Sequence, residues 1–125
     1  MKKQIALFYA LACMVFGLSS CWHSDHNINI KYKDTGRYYS MDARFSKNKT
    51  REVEDYMNDR LGKGNHRFLK NTSIDGQLVL DDRTSFYIHK YPGYIEIKLD
   101  KDKNSEESFH KIKAMCEGIK EVLTR

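Results

Sequence analysis

A chain of 125 residues holds one domain with a single hydrophobic core and is too short for two. Its 22 basic and 17 acidic side chains give a net charge of +5, but the lysines and arginines are interspersed with the acids. That spread argues against a nucleic-acid binder, which carries a dense basic stripe.

The first element is Met1 to Cys21. Lys2 and Lys3 supply a positive start, Ile5 to Leu18 is an apolar run without a charge, and Leu18-Ser19-Ser20-Cys21 closes it with small residues before a thiol. This is the order of parts in a secretory signal. A bilayer span needs roughly 20 apolar residues, and this run is shorter and meets Ser19-Ser20 before the polar stretch Trp22-His23-Ser24-Asp25-His26. The ending resembles the lipobox of bacterial lipoproteins. That resemblance covers residues 1–21 and implies that residues 1–20 leave as a signal peptide. It also implies that Cys21 and the new amino terminus receive palmitate-type acyl chains, anchoring the protein to membrane lipid in the cell envelope. Trp22, standing where an aspartate would retain the protein at the inner membrane, implies the outer membrane, facing the periplasm. Each buried CH2 contributes about 0.8 kcal/mol, so several acyl chains make attachment practically permanent.

On that reading Lys2 and Lys3 leave with the leader and no acid does, so the excess falls from +5 to +3, a charge that suits anionic headgroups. Cys13 leaves too and Cys21 takes the lipid. Cys116 then stands alone, with no intramolecular disulfide available, and is expected buried as a small hydrophobe. On that reading residues 21–27 form an acylated tether, and the seven steps from Cys21 to Ile28 reach about 25 Å at roughly 3.4 Å each. Residues 28–125 form the domain.

Ile28, Ile30 and Tyr32 alternate with polar residues, as do Tyr39, Met41, Ala43 and Phe45, around Asp34-Thr35-Gly36. The pattern predicts a hairpin with Tyr32 facing Tyr39, Ile30 facing Met41 and Ile28 facing Ala43. A helix follows, capped by Ser46 or Asn48, with Val53, Tyr56, Met57 and Leu61 on one face and Gly62 as the left-handed stop. Gly62-Lys63-Gly64 lacks the spacing and the Lys-Ser or Lys-Thr pair of a phosphate loop, and reads as a connector.

Three strands come next, about 73–80, 84–90 and 94–99. Around Pro92-Gly93, Ile88 faces Ile97 and Phe86 faces Leu99 on an apolar side. Tyr91 faces Tyr94, His89 faces Glu96 and Tyr87 faces Lys98 on the other. Leu78 and Leu80 join the apolar side if residues 81–83 make a three-residue loop. The last helix has the clearest period: Phe109, Ile112, Cys116, Ile119 and Leu123, with Met115 and Val122 beside them, opened by Asn104 and Glu107 as a capping pair. The sum is an α+β two-layer sandwich in chain order ββαβββα, an antiparallel sheet of about five strands with two helices on one face.

The outer side of the last hairpin, Tyr87, His89, Tyr91, Tyr94 and Glu96, is the candidate partner-binding surface, because tyrosine offers rigid contact area with a polar tip. His23 and His26 in a leash do not make a metal site, and no zinc, cofactor or nucleophile motif is present. His89 opposite Glu96 reads more simply as a polar cross-strand pair than as a catalytic one, and Asp81-Asp82 as turn residues. His66 reads as a loop residue and His110 as a helix-surface residue. The expected function is non-enzymatic: an envelope lipoprotein binding another protein, as an assembly accessory or an immunity-type inhibitor. The alternative is a small-ligand or lipid-binding lipoprotein, which requires a cavity between helices and sheet that Phe86, Phe109, Met57 and Met115 are expected to fill.

Overall fold

A computed structural model describes residues 28–62 and 73–125. The expected leader, the expected Cys21 tether with His23 and His26, and the expected connector carrying His66 lie outside the described residues. The first strands, β1 (Asn29–Asp34) and β2 (Tyr38–Arg44), form the expected hairpin. Its turn is Gly36-Arg37, closed by Thr35 N donating to Tyr38 O at 2.8 Å and Tyr38 N donating to Thr35 Oγ1 at 2.9 Å. Tyr32 therefore lies opposite Met41, Ile30 opposite Ala43 and Asp34 opposite Tyr39, two residues from the expected pairing. An even slip leaves every side chain on its expected face, since strand side chains alternate with period two.

Helix α1 (Thr50–Leu61) grows out of a 3-10 turn, Lys47–Lys49, that starts at Ser46. Neither Ser46 nor Asn48 caps it through a side chain; the turn supplies the opening bond, Lys49 N to Ser46 O at 2.9 Å. Val53, Met57 and Leu61 are buried and Tyr56 half-buried, as the periodicity requires, and Glu54 and Asn58 are buried beside them. Gly62 ends the helix at φ +90, with its N–H on Asn58 O at 3.2 Å, but its ψ of 162 lies outside the left-handed helical region.

Strands β3 (Ile74–Val79), β4 (Ser85–Tyr91) and β5 (Tyr94–Asp100) fall within two residues of expectation. Leu80 N donates to Thr84 O and Arg83 N to Leu80 O, so residues 81–83 do form a three-residue loop. The β4–β5 register places Ile88 opposite Ile97, His89 opposite Glu96 and Tyr91 opposite Tyr94. A Pro-Gly turn twists unfavourably for a two-residue hairpin, and here the fold clamps it. Phe45 N donates to Gly93 O at 2.9 Å and Gly93 N to Thr50 Oγ1 at 3.0 Å. Gly93 sits at φ +84, and a Cβ there would lie 2.9 Å from Phe45 O.

The sheet order is β1-β2-β5-β4-β3 with every neighbour antiparallel. Helix α2 (Glu106–Thr124) is capped by Ser105, whose side chain accepts from Ser108 N at 3.0 Å. The expected cap, Asn104, is used elsewhere. Its Oδ1 accepts from Ser85 N at 2.8 Å and its Nδ2 donates to Ser85 O and Asp100 O, both at 2.9 Å. Ser85 opens β4, and Asn104 stands in for the strand partner its backbone would otherwise lack.

Ile112, Met115, Cys116, Ile119, Val122 and Leu123 of α2 close over Met41, Phe86, Ile88, Ile95, Ile97 and Leu99 of the sheet, with Met57 of α1 alongside. Burial pushes the Cys116 thiol up to about 12, and none of its surface is exposed. The helices approach closely at Gly118, where a Cβ would collide with the Tyr56 ring. Among the described residues, no helix is long and apolar enough to cross a membrane.

Candidate interaction face

The strand registers set out the outer face in rows. Arg44, Tyr94 and Tyr91 form one; Lys31, Asp42, Glu96, His89 and Asp75 the next; Lys33, Ser40, Lys98, Tyr87 and Gln77 the third. Odd positions of β4 and even positions of β5 point here because Phe86, Ile88, Ile95 and Ile97, of opposite parity, are fully buried.

All five expected residues share this face. The Tyr91 ring stacks on Tyr94 at 4.8 Å with planes 18° apart, and His89 meets both edge-on at 5.6 and 5.5 Å. The Arg44 guanidinium lies 4.9 Å from the centre of the Tyr94 ring, and Lys98 Nζ 4.5 Å from that of Tyr38. Such cation–ring contacts contribute about 0.5–1 kcal/mol at exposed sites. Tyr87 stands apart from the ring cluster, its hydroxyl donating to Asp75 Oδ1. That bond to a carboxylate pushes Tyr87 up to about 12. Tyr94 is also raised, first by desolvation and then by Glu96 and Asp42. Both keep their protons at neutral pH, and the one on Tyr87 is already committed to Asp75.

Tyr38, Arg44, Lys98 and Asp75 belong to the face but were not among the expected residues. The sequence pattern itself places Lys98 opposite Tyr87. The other three enter through the β2–β5 and β3–β4 pairings, and the first of these no local pattern reveals.

Among the described residues, no group of three His, Cys, Asp or Glu side chains is placed to hold a metal ion. Asp82 is structural, accepting from Thr84 N at 3.0 Å and Lys111 Nζ at 2.8 Å. These bonds hold its carboxyl down to about 2. His110 is on the helix surface, 4.0 Å from Glu106.

The space between helices and sheet is filled: Met57, Phe86 and Met115 are at most 1% exposed. Phe109 is half-buried and meets Tyr39 edge-on at 5.7 Å. Depressions lie at the rim instead. One, of about 560 Å³, runs between α2 and the β1–β2 hairpin past Tyr32, Tyr39, Lys113 and Glu117. Another, of about 470 Å³, borders the ion pair of Lys90 and Glu54 together with Lys47 and Arg51. That pair is 3% and 5% exposed, and sequence reasoning missed it. The signal was there: Lys90 shares the parity of Phe86 and Ile88, and Glu54 follows Val53 one turn before Met57 and Asn58. Comparison with protein-family models, curated proteins and solved structures gave no significant match for this chain.

Proposed function

We propose that this protein is a lipid-anchored envelope lipoprotein whose small domain binds another protein through the open side of its sheet, serving an envelope assembly or inhibiting a delivered toxin. The observation that carries the reading is the contiguous cluster of Tyr91, Tyr94 and His89 with Arg44 over it, on the face away from both helices. Rigid aromatic area rimmed by arginine is the composition of protein-recognition surfaces. The leader supports the location, since a tether of about 25 Å keeps the domain near lipid.

The test combines two variants. Tyr87→Ala with Tyr91→Ala should abolish partner capture from envelopes while leaving the thermal melt nearly unchanged, because both side chains lie outside the core. Capture at the wild-type level would reject this face. Cys21→Ser should lose fatty-acid labelling; normal labelling in that variant would reject the anchor.

A further inference from the structure

The two edges of the sheet are built differently. β1 carries Lys31 and Lys33, and its end is tied down by Asp34 bonding Lys101. Lysines of this kind blunt an edge against further pairing. β3, Ile-Asp-Gly-Gln-Leu-Val, has no lysine, arginine or proline, and its register with β4 runs without a bulge from Ile74 opposite Lys90 to Val79 opposite Ser85.

The phase of that ladder fixes which backbone groups remain. Leu80 N donates to Thr84 O, so the even-numbered residues of β3 turn their N–H and C=O toward β4. Asp75, Gln77 and Val79 then turn theirs outward. Among the described residues, no strand pairs with that side of β3. All three residues are exposed, and Val79 is the most exposed large hydrophobic of the described residues, at 66%.

We propose that β3 pairs antiparallel with β3 of a second copy of this chain, about a two-fold axis through Gln77, joining two five-stranded sheets into one. Three features select a second copy as the occupant. In this register Gln77 meets its own counterpart and Asp75 meets Val79 of the other copy, so the outward-turned backbone groups of all three residues are paired. On the inner face Leu78 meets Gly76 of the other copy. A Cβ built on Gly76 touches nothing within 4 Å, and Leu78 is only half-buried, so each strand offers both the knob and the space. No like charges oppose each other, because the strand's one charge, Asp75, faces a valine and is already bonded to Tyr87. The axis stands perpendicular to the sheet. The described helices of both copies stay on one side, and the two tyrosine faces become one continuous surface.

The experiment uses the full chain in mild detergent. Gln77→Cys should form an intermolecular disulfide under copper-phenanthroline oxidation, because paired Cα atoms of this type lie about 5.5 Å apart, inside the disulfide range. Val79→Cys, also exposed but opposite Asp75, should link no more than the wild type, which controls for Cys13, Cys21 and Cys116. Sedimentation should give twice the chain mass for the wild type. Gln77→Pro should give the single mass with unchanged circular dichroism, since that N–H serves only the second copy. A wild type that sediments as a single chain at every concentration overturns the proposal. So does equal linking by Gln77→Cys and Val79→Cys, which marks an edge open to any strand. If Gln77→Pro loses its fold, the cysteine pair and the wild-type mass decide the matter without it.

Discussion

Arg83 is, among the described residues, the one non-glycine with a positive φ, at 72. It occupies the last place of the three-residue loop after Leu80, where the left-handed conformation is what lets β4 return antiparallel. For a residue with a Cβ that conformation costs about 1–2 kcal/mol, part of which glycine gives back as chain entropy. Arg83→Gly should therefore stabilise the domain by roughly 0.5–1 kcal/mol, read as a thermal midpoint higher by about 4 °C. An unchanged or lower midpoint would show that the loop holds Arg83 without strain. The sequence marks this loop by Asp81-Asp82, yet it did not mark residue 83, since arginine gives no hint of a left-handed site. Lys90 is the converse case. Its position was legible from alternation alone, but a lysine on an apolar face is credible only once a carboxylate such as Glu54 is known to meet it.

Elements depend on how such residues join. The β3–β4 loop is fastened to α2 by Asp82, which accepts from Lys111 and from Thr84 N. The folded carboxyl is held down to about 2, below the ordinary carboxylate range. A depressed carboxyl contributes stability that is complete above its unfolded value and lost as pH falls through the folded one. Asp82 is about half exposed, so its share is modest. The thermal midpoint of the wild type should fall more steeply between about pH 4 and pH 2 than that of Asp82→Asn, which keeps an acceptor for Thr84 N but no charge for Lys111. Parallel slopes would remove Asp82 from the acid response. Element positions were legible because alternation and helical period are local signals; registers were legible only where a turn was unique. Pro92-Gly93 admits one centre, and the β4–β5 pairing came out right, with the tyrosine cluster it builds. Asp34-Thr35-Gly36-Arg37 admits two-residue turns at more than one place, and period-two alternation cannot tell apart registers that differ by two. The helix start shows the same limit: Asn104 and Ser105 are both good caps, and only the unpartnered backbone of Ser85 decides between them.

At the scale of the whole molecule, three of the four strand pairings among the described residues are hairpins with short loops, and one is not. β2 and β5 join at the middle of the sheet, Met41 opposite Ile97, although the chain between them passes through α1, β3 and β4. This pairing was not legible, because a repeating apolar pattern says which face a strand presents and nothing about which strand lies beside it. Its physical cost is loop closure, which must be met before the contacts it creates can repay it. The β2–β5 junction should thus be largely formed in the folding transition state, while the end of α2 docks later. Met41→Ala and Leu123→Ala both remove fully buried side chains and should each cost about 2–5 kcal/mol. They should divide that loss differently. Met41→Ala should slow refolding, with more than half its effect on the folding limb of a chevron plot, and Leu123→Ala should mainly speed unfolding. If Met41→Ala acts only on the unfolding limb, the central pairing forms after the barrier, and the hairpins or the helix pair, rather than the joining of the two halves of the sheet, set the rate.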